Sequence, residues 1–153
     1  MIKKREVKHV ATVFEVAKYI LEKKEKMSTM KLQKLLYYCQ AWSLVWEDGP
    51  LFPNTIQAWA NGPVIPDLFE LHKGRYCIDT KFFKTADTDN LTPEEKGTIG
   101  GVVEYYGDKS PQWLSDLTHS ETPWIEARRG IPDGQRGAAE ITLESMAMYY
   151  SSL

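Results

Sequence analysis

The chain has 153 residues, of which 42% are hydrophobic, 26% charged and 12% aromatic, with a formal charge of −2. That balance is ordinary for a globular chain long enough to build a core without staples, and the near-neutral charge disfavours a strongly basic nucleic-acid binder. Two cysteines, Cys39 and Cys77, are too few for a disulfide framework or a Cys-only zinc site. No run reaches the roughly 18 apolar residues of a membrane span, and the basic start Met1–Arg5 is followed by no apolar signal-peptide segment. The expectation is a soluble cytoplasmic protein with residues 1–153 in one domain, preceded by a basic arm over about 1–10.

Charge is unevenly spread. Residues 1–34 hold ten Lys/Arg against four Asp/Glu, and the remainder is acidic. A lysine-rich outer face on a solvated first helix accounts for this. A basic patch for an acidic partner or a phosphate backbone is the alternative, weakened by the absence of interleaved Arg and aromatic residues.

Thr12 and Glu15 have capping-box spacing, so a helix is predicted from Val13, with Val13, Phe14, Ala17, Ile20 and Leu21 on its inner face. Ser28 or Thr29 caps a second helix. Leu32, Leu35, Leu36, Cys39, Trp42 and Trp46 form one apolar stripe on it, and Tyr37, Ala41, Leu44 and Val45 a second. A helix apolar on two sides belongs in the middle of its fold. Asp48-Gly49-Pro50 should end it, with Gly49 in the left-handed cap.

Thr55–Trp59 alternates and predicts a short strand, with Asn61-Gly62-Pro63 as a tight turn whose Gly62–Pro63 bond could be cis or trans. Asp67, with Glu70 three residues on, predicts a capped short helix stopped by Gly74. Residues 75–91 fit short strands or packed loop. Thr92-Pro93-Glu94-Glu95 is a helix start, and the same chemistry recurs at Ser110-Pro111 and Thr122-Pro123. Gly97, Gly100 and Gly101 inside the first of these helices suggest close helix–helix approach or a hinge. Gly130–Gly137 reads as turns, and Thr142 caps a last helix with Leu143, Met146, Ala147 and Tyr150 inward. The fold class is mainly α: a compact bundle of about six or seven helices, with a small β element (a strand near 55–59) inserted after the central helix.

The chemistry-bearing residues form no recognisable catalytic constellation. Cys39 lies mid-stripe as a small buried hydrophobe. Cys77 and His72 match no catalytic spacing, and His119 ends a helix where a cation is favoured. Neither a metal-ligand pattern nor a phosphate-binding Gly-rich loop is present, and no cofactor is expected. Composition and spacing alone leave the function open.

Three stretches narrow it. Lys31-Leu32-Gln33-Lys34-Leu35-Leu36-Tyr37-Tyr38-Cys39-Gln40-Ala41-Trp42 resembles the central-helix signature of the Panacea domain, the family of SocA-like antitoxins and the phage-associated protein GepA. Ile56-Gln57-Ala58-Trp59-Ala60-Asn61-Gly62-Pro63-Val64 resembles its second signature, and Ile65–Phe69 continues into a helix. The resemblance extends over roughly residues 10–150. It implies an antitoxin, common in prophages, that neutralises a cognate protein toxin by direct contact, and that can deliver the toxin to an ATP-dependent protease. Leu32, Leu35, Leu36, Cys39, Trp42, Gly62 and Pro63 are expected to be structural. Lys31, Lys34, Tyr37, Tyr38, Trp59 and Asn61 are the candidates for partner binding, because aromatic and basic groups gather near the non-helical insert and aromatics dominate binding hot spots. Trp59 fits equally well as core filler or as an exposed anchor. The competing functions are a nucleic-acid-binding autoregulator using the basic N-terminal third, another phage-encoded activity, and an unrecognised enzyme using Cys77/His72 or His119.

Overall fold

Local capping chemistry sets most of the helix starts. In the computed structural model, which describes residues 9–153, the Thr12 hydroxyl accepts the Glu15 N–H and the Glu15 carboxylate accepts the Thr12 N–H, opening α1 (Val13–Lys24). Apart from His9 and Val10, the expected basic arm lies outside the described residues. A three-residue strand β1 (Lys26–Ser28) follows. Ser28 rather than Thr29 caps α2 (Thr29–Trp46), its hydroxyl accepting the Lys31 N–H.

Helix α2 is the axis of the molecule. Leu32, Leu35, Leu36 and Cys39 are fully buried, Trp42 is half-buried, and Tyr37, Tyr38 and Ala41 are buried on the other side. Twelve of its 18 residues are buried, on more than one face, and the neighbours that cover them are α1 and, later in the chain, α4 (Pro93–Tyr106), α5 (Pro111–His119) and α7 (Leu143–Tyr150). After Trp46 the left-handed turn residue is Asp48 (φ 57°), not Gly49. Asp tolerates that region better than most side chains.

The chain then forms a hairpin of β2 (Gln57–Trp59) and β3 (Gly62–Val64), with Ala58 opposite Pro63 and Trp59 opposite Gly62. Gly62-Pro63 therefore lies in the returning strand, and Ala60-Asn61 makes the turn where Asn61-Gly62-Pro63 was expected. The Gly62–Pro63 bond is trans. Pro63 is tolerated because Ala58 points its N–H away from β3, to the Ala139 carbonyl at 2.8 Å, so the ladder loses no bond there. Ile141 N–H to Ile56 O, 2.8 Å, extends this third edge.

Helix α3 (Pro66–His72) starts without a side-chain cap. Pro66 occupies the first turn, and the Asp67 carboxylate accepts from Asn54 at 2.8 Å instead of capping. Of the two possibilities for residues 75–91, short strands or packed loop, a short strand β4 (Cys77–Asp79) forms and pairs antiparallel with β1. Two short 3₁₀ turns, Thr80–Phe83 and Thr88–Asn90, lead to α4 (Pro93–Tyr106), which has a complete Thr92/Glu95 capping box. Ser110 caps α5 (Pro111–His119) and Thr142 caps α7 (Leu143–Tyr150) as expected. In α6 (Thr122–Ala127), Thr122 is the first helical residue rather than the cap; the cap position belongs to Glu121, whose carboxylate is engaged elsewhere. Of the α4 glycines only Gly101 marks a tight approach, where a Cβ would meet the Trp46 ring at 3.4 Å; at Gly97 it would meet nothing. Both family-like stretches thus come together, with the hairpin and the start of α3 lying against the first half of α2.

Candidate functional site

Two glutamines one heptad apart on α2 hold the segment between the helices. Gln40 Oε1 accepts the Leu51 and Phe52 N–H groups at 2.7 and 3.2 Å, and its Nε2 donates to Phe52 O at 2.8 Å. Gln33 Oε1 accepts the Ile65 N–H at 2.8 Å. Its Nε2 donates to Ile65 O at 3.3 Å and to His72 Nε2 at 3.0 Å. Because that imidazole nitrogen accepts, His72 is neutral with its proton on Nδ1, and burial holds its pKa below the ordinary value. These bonds tie Leu51-Phe52, upstream of the hairpin, and Ile65, just after it, to α2. Both glutamines lie within the central-helix signature, and nothing local in the sequence indicates these long-range bonds.

The far face of the hairpin is held by Trp124 and Arg128. Trp124 Nε1 donates to Trp59 O at 2.9 Å. The buried Arg128 guanidinium donates to Ala58 O, Pro132 O and Gln135 O at 3.0, 3.1 and 2.6 Å. One side chain thereby folds the Gly130–Gly137 turns against β2. This rim and the hairpin enclose a groove of about 880 Å³ between Trp59, Val64 and Phe69 on one side and Arg136–Ala138 on the other. Trp59 is half-buried. Its ring meets Phe69 edge-on at 4.9 Å, and its Nε1 donates to Gln57 at 2.9 Å. Asn61 is exposed at the turn beside it.

The other partner-binding candidates lie elsewhere. Tyr37 and Tyr38, expected at a partner surface, are instead buried in the core. Tyr37 Oη donates to Tyr150 Oη at 3.0 Å, Tyr150 Oη donates to Glu121 Oε1 at 2.7 Å, and Tyr38 Oη donates to the same oxygen at 2.7 Å. Tyr38 also stacks on Tyr106 at 4.2 Å, whose hydroxyl accepts from Trp42 Nε1 at 3.0 Å. Burial raises the phenol pKa values and that of the Glu121 carboxyl, which the two tyrosine hydrogen bonds partly oppose. The reason these tyrosines sit inside is that a carboxylate 83 residues from Tyr38 satisfies their hydroxyls.

Lys34 is also interior, 1% exposed, and its Nζ has no hydrogen-bond partner among the described residues. Desolvation pushes its pKa down to about 8. The stem runs beneath Gly62 (φ 123°), where any Cβ would run into Lys34 Cε. That contact gives the glycine its second reason, besides a backbone angle that other residues rarely adopt. Lys34 lines a second cavity of about 320 Å³ with Met30, Asn61, Gln112, Asp116 and His119. Met30 and Asn61 also line the groove, so the two spaces share a wall. Lys31, partly exposed at the start of α2, has its pKa lowered by desolvation and by the charge of Lys24.

Cys39 is buried with its thiol pushed up by desolvation, Cys77 is exposed on β4, and His72 is committed to Gln33. No three His, Cys, Asp or Glu side chains gather into a metal-holding group among the described residues, and no helix there is long and apolar enough to cross a membrane.

The class defined by these features is a mainly helical domain carrying a hairpin-walled groove, backed by a buried lysine. A family model, antitoxin SocA-like, Panacea domain, matches residues 32–125, more than half of the chain. The chain belongs to that family. The match runs from the first turn of α2 into α6 and leaves α1 and α7 outside. Membership points to an antitoxin-type role with a toxin as partner and to a non-enzymatic function. No curated protein and no solved structure matches the chain.

Proposed function

We propose that this protein is an antitoxin that neutralises a cognate cytoplasmic toxin by direct protein–protein contact, with the Trp59 groove receiving a segment of the toxin. Family membership supports the role. The observation that carries the location is the groove itself: Trp59 and Phe69 are partly open to solvent, while the backbone beneath them is fixed by Gln33, Arg128 and Trp124. A rigid platform bearing exposed aromatic rings binds at low entropic cost, because little has to be ordered when the partner arrives. An interface of ordinary size, about 1,600 Å² in total, would extend beyond the groove onto the surface around Asn61 and Lys31. Handover of the bound toxin to an ATP-dependent protease is the second step of this reading.

The test is co-expression with the product of the adjacent reading frame. Trp59→Ala and Phe69→Ala should each weaken complex formation and growth rescue while the variants keep a cooperative melt. Full rescue by both variants would move the interface away from the groove. For the handover step, the half-life of the toxin in cells should fall when this protein is present; an unchanged half-life would leave occlusion as the whole mechanism.

A further inference from the structure

We infer that the cavity behind the hairpin turn is a carboxylate-binding site, and that it takes one Asp or Glu side chain of the polypeptide lying in the Trp59 groove. The inference rests on the toxin-binding reading and adds the chemistry of recognition to it. Lys34 supplies an ammonium group shielded from solvent, with no hydrogen-bond partner among the described residues. A buried cation without a hydrogen-bond partner is unfavourable and gains strongly from an anion brought into contact with it. His119 lies in the same cavity, stacked on Trp124 at 3.9 Å, with its Nε2 buried and unpartnered. Both side chains line the same small space.

The rest of the cavity selects the anion. Asp116 lines it, holding its carboxylate on Gln112 Nε2 at 2.8 Å. That fixed negative charge opposes a doubly charged phosphate more than a singly charged carboxylate. Ser115 is already committed, its hydroxyl donating to Asn61 O at 2.7 Å. That leaves Lys34 and His119 as the groups able to meet an anion deep in the site. Because Met30 and Asn61 wall both spaces, a chain with an apolar side chain on Trp59 and Phe69 can place a neighbouring acidic side chain over Asn61 toward Lys34. Charge in the groove agrees: Arg136 is exposed there, whereas Glu70 is paired with Lys73 at 2.9 Å.

The experiment is a double-mutant cycle on the complex with the adjacent-gene product. Each Asp and Glu of that product is changed to Asn or Gln, and binding is measured to the wild-type protein and to Lys34→Met. One acidic position should lose about tenfold or more in affinity against the wild type and nothing further against Lys34→Met. Gln112→Glu, an exposed change that adds negative charge at the mouth, should weaken binding and recover in high salt. Binding of the toxin with no acidic position coupled to Lys34 would overturn the inference and leave the antitoxin reading standing. Failure of the toxin to bind the wild type at all would overturn both. As a separate arm, acetate and inorganic phosphate are titrated against the free protein. A Lys34-dependent rise in melting temperature with either, and no coupled acidic position in the toxin, would make the cavity a free-anion site and refute the assignment to a partner side chain.

Discussion

Replacing Lys34 with methionine should make the protein more stable. Lys34 is 1% exposed and its ammonium has no hydrogen-bond partner among the described residues. Its folded pKa of about 8 lies below the ordinary 10.5. At about 1.4 kcal/mol per pH unit, that depression corresponds to a penalty on the order of 3 kcal/mol for keeping the charge inside. Methionine retains an unbranched stem to fill the space under Gly62 and removes the charge. At pH 7 the penalty is fully present, so Lys34→Met should gain roughly 1–3 kcal/mol, with the melting temperature rising about 2–4 °C for each kcal/mol in a chain of this size. The pH dependence identifies the cause. Between pH 8 and 10.5 the unfolded chain holds the lysine proton more tightly than the folded one, so wild-type stability rises with pH from this group. The gap between variant and wild type should therefore close across that window and vanish above it. Urea unfolding of both proteins at several pH values reads the gap directly, and taking the difference removes the titration of other lysines and tyrosines. A variant less stable than wild type at neutral pH, or a gap independent of pH, would show that the ammonium is already compensated in the free protein. The same variant should neutralise the toxin less well, so that a gain in stability accompanies a loss of function.

Gly62→Ala should destabilise the protein by about 1–3 kcal/mol, because φ is 123° and the new Cβ strikes Lys34 Cε. Combining it with Lys34→Ala should cost less than the sum of the two, as read by denaturant midpoints. Glu121→Gln keeps the acceptor for Tyr38 and Tyr150 and removes the ionisation. Burial raises the Glu121 pKa above 4.5, so this group stabilises fully below that pH and loses its contribution as pH rises through the folded value. Melting curves should show the wild-type-minus-variant difference falling as pH climbs from 4.5 toward neutrality; a flat difference would refute the raised pKa. Gln33→Leu should cost about 2 kcal/mol or more by leaving the Ile65 N–H and His72 unpaired, and amide exchange at Ile65 should accelerate.

The starts of α1, α2, α4, α5 and α7 were legible because a cap acts over three residues, and the pairs Thr12/Glu15 and Thr92/Glu95 are written side by side. The centrality of α2 was legible from its two apolar stripes. Features that depend on distant partners were not. Strand β4 could be read only as short strand or packed loop, because its three residues settle into a strand by meeting β1 some fifty positions earlier. Glu121 next to Thr122-Pro123 has the look of an ordinary residue before a helix, and nothing local indicates that Tyr38 and Tyr150 both donate to it. Tyr37 and Tyr38 were expected at a partner surface because aromatic and basic groups gather near the insert; the Tyr150 hydroxyl and the Glu121 carboxylate satisfy them inside the core. Trp59 and Asn61 could be singled out as candidates by their position on a non-helical insert, whereas Phe69, Arg128 and His119 come near the groove and cavity only through tertiary packing.

The two family-like stretches are best understood as one device. Gly62 is small and left-handed so that Lys34 can pass beneath it, and Gln33, the neighbour of Lys34, ties down Ile65 two residues after the Gly62-Pro63 pair. Packing alone would be served by an unbranched apolar side chain in place of Lys34. A fold that instead places an uncompensated ammonium under its hairpin gives up stability at the point where the groove and the smaller cavity meet. Stability is commonly surrendered at sites that must bind. The glutamine and the glycine carry the structure, and the lysine between them is the member of the pattern that structure does not require, which makes it the position where recognition of a partner is most economically placed.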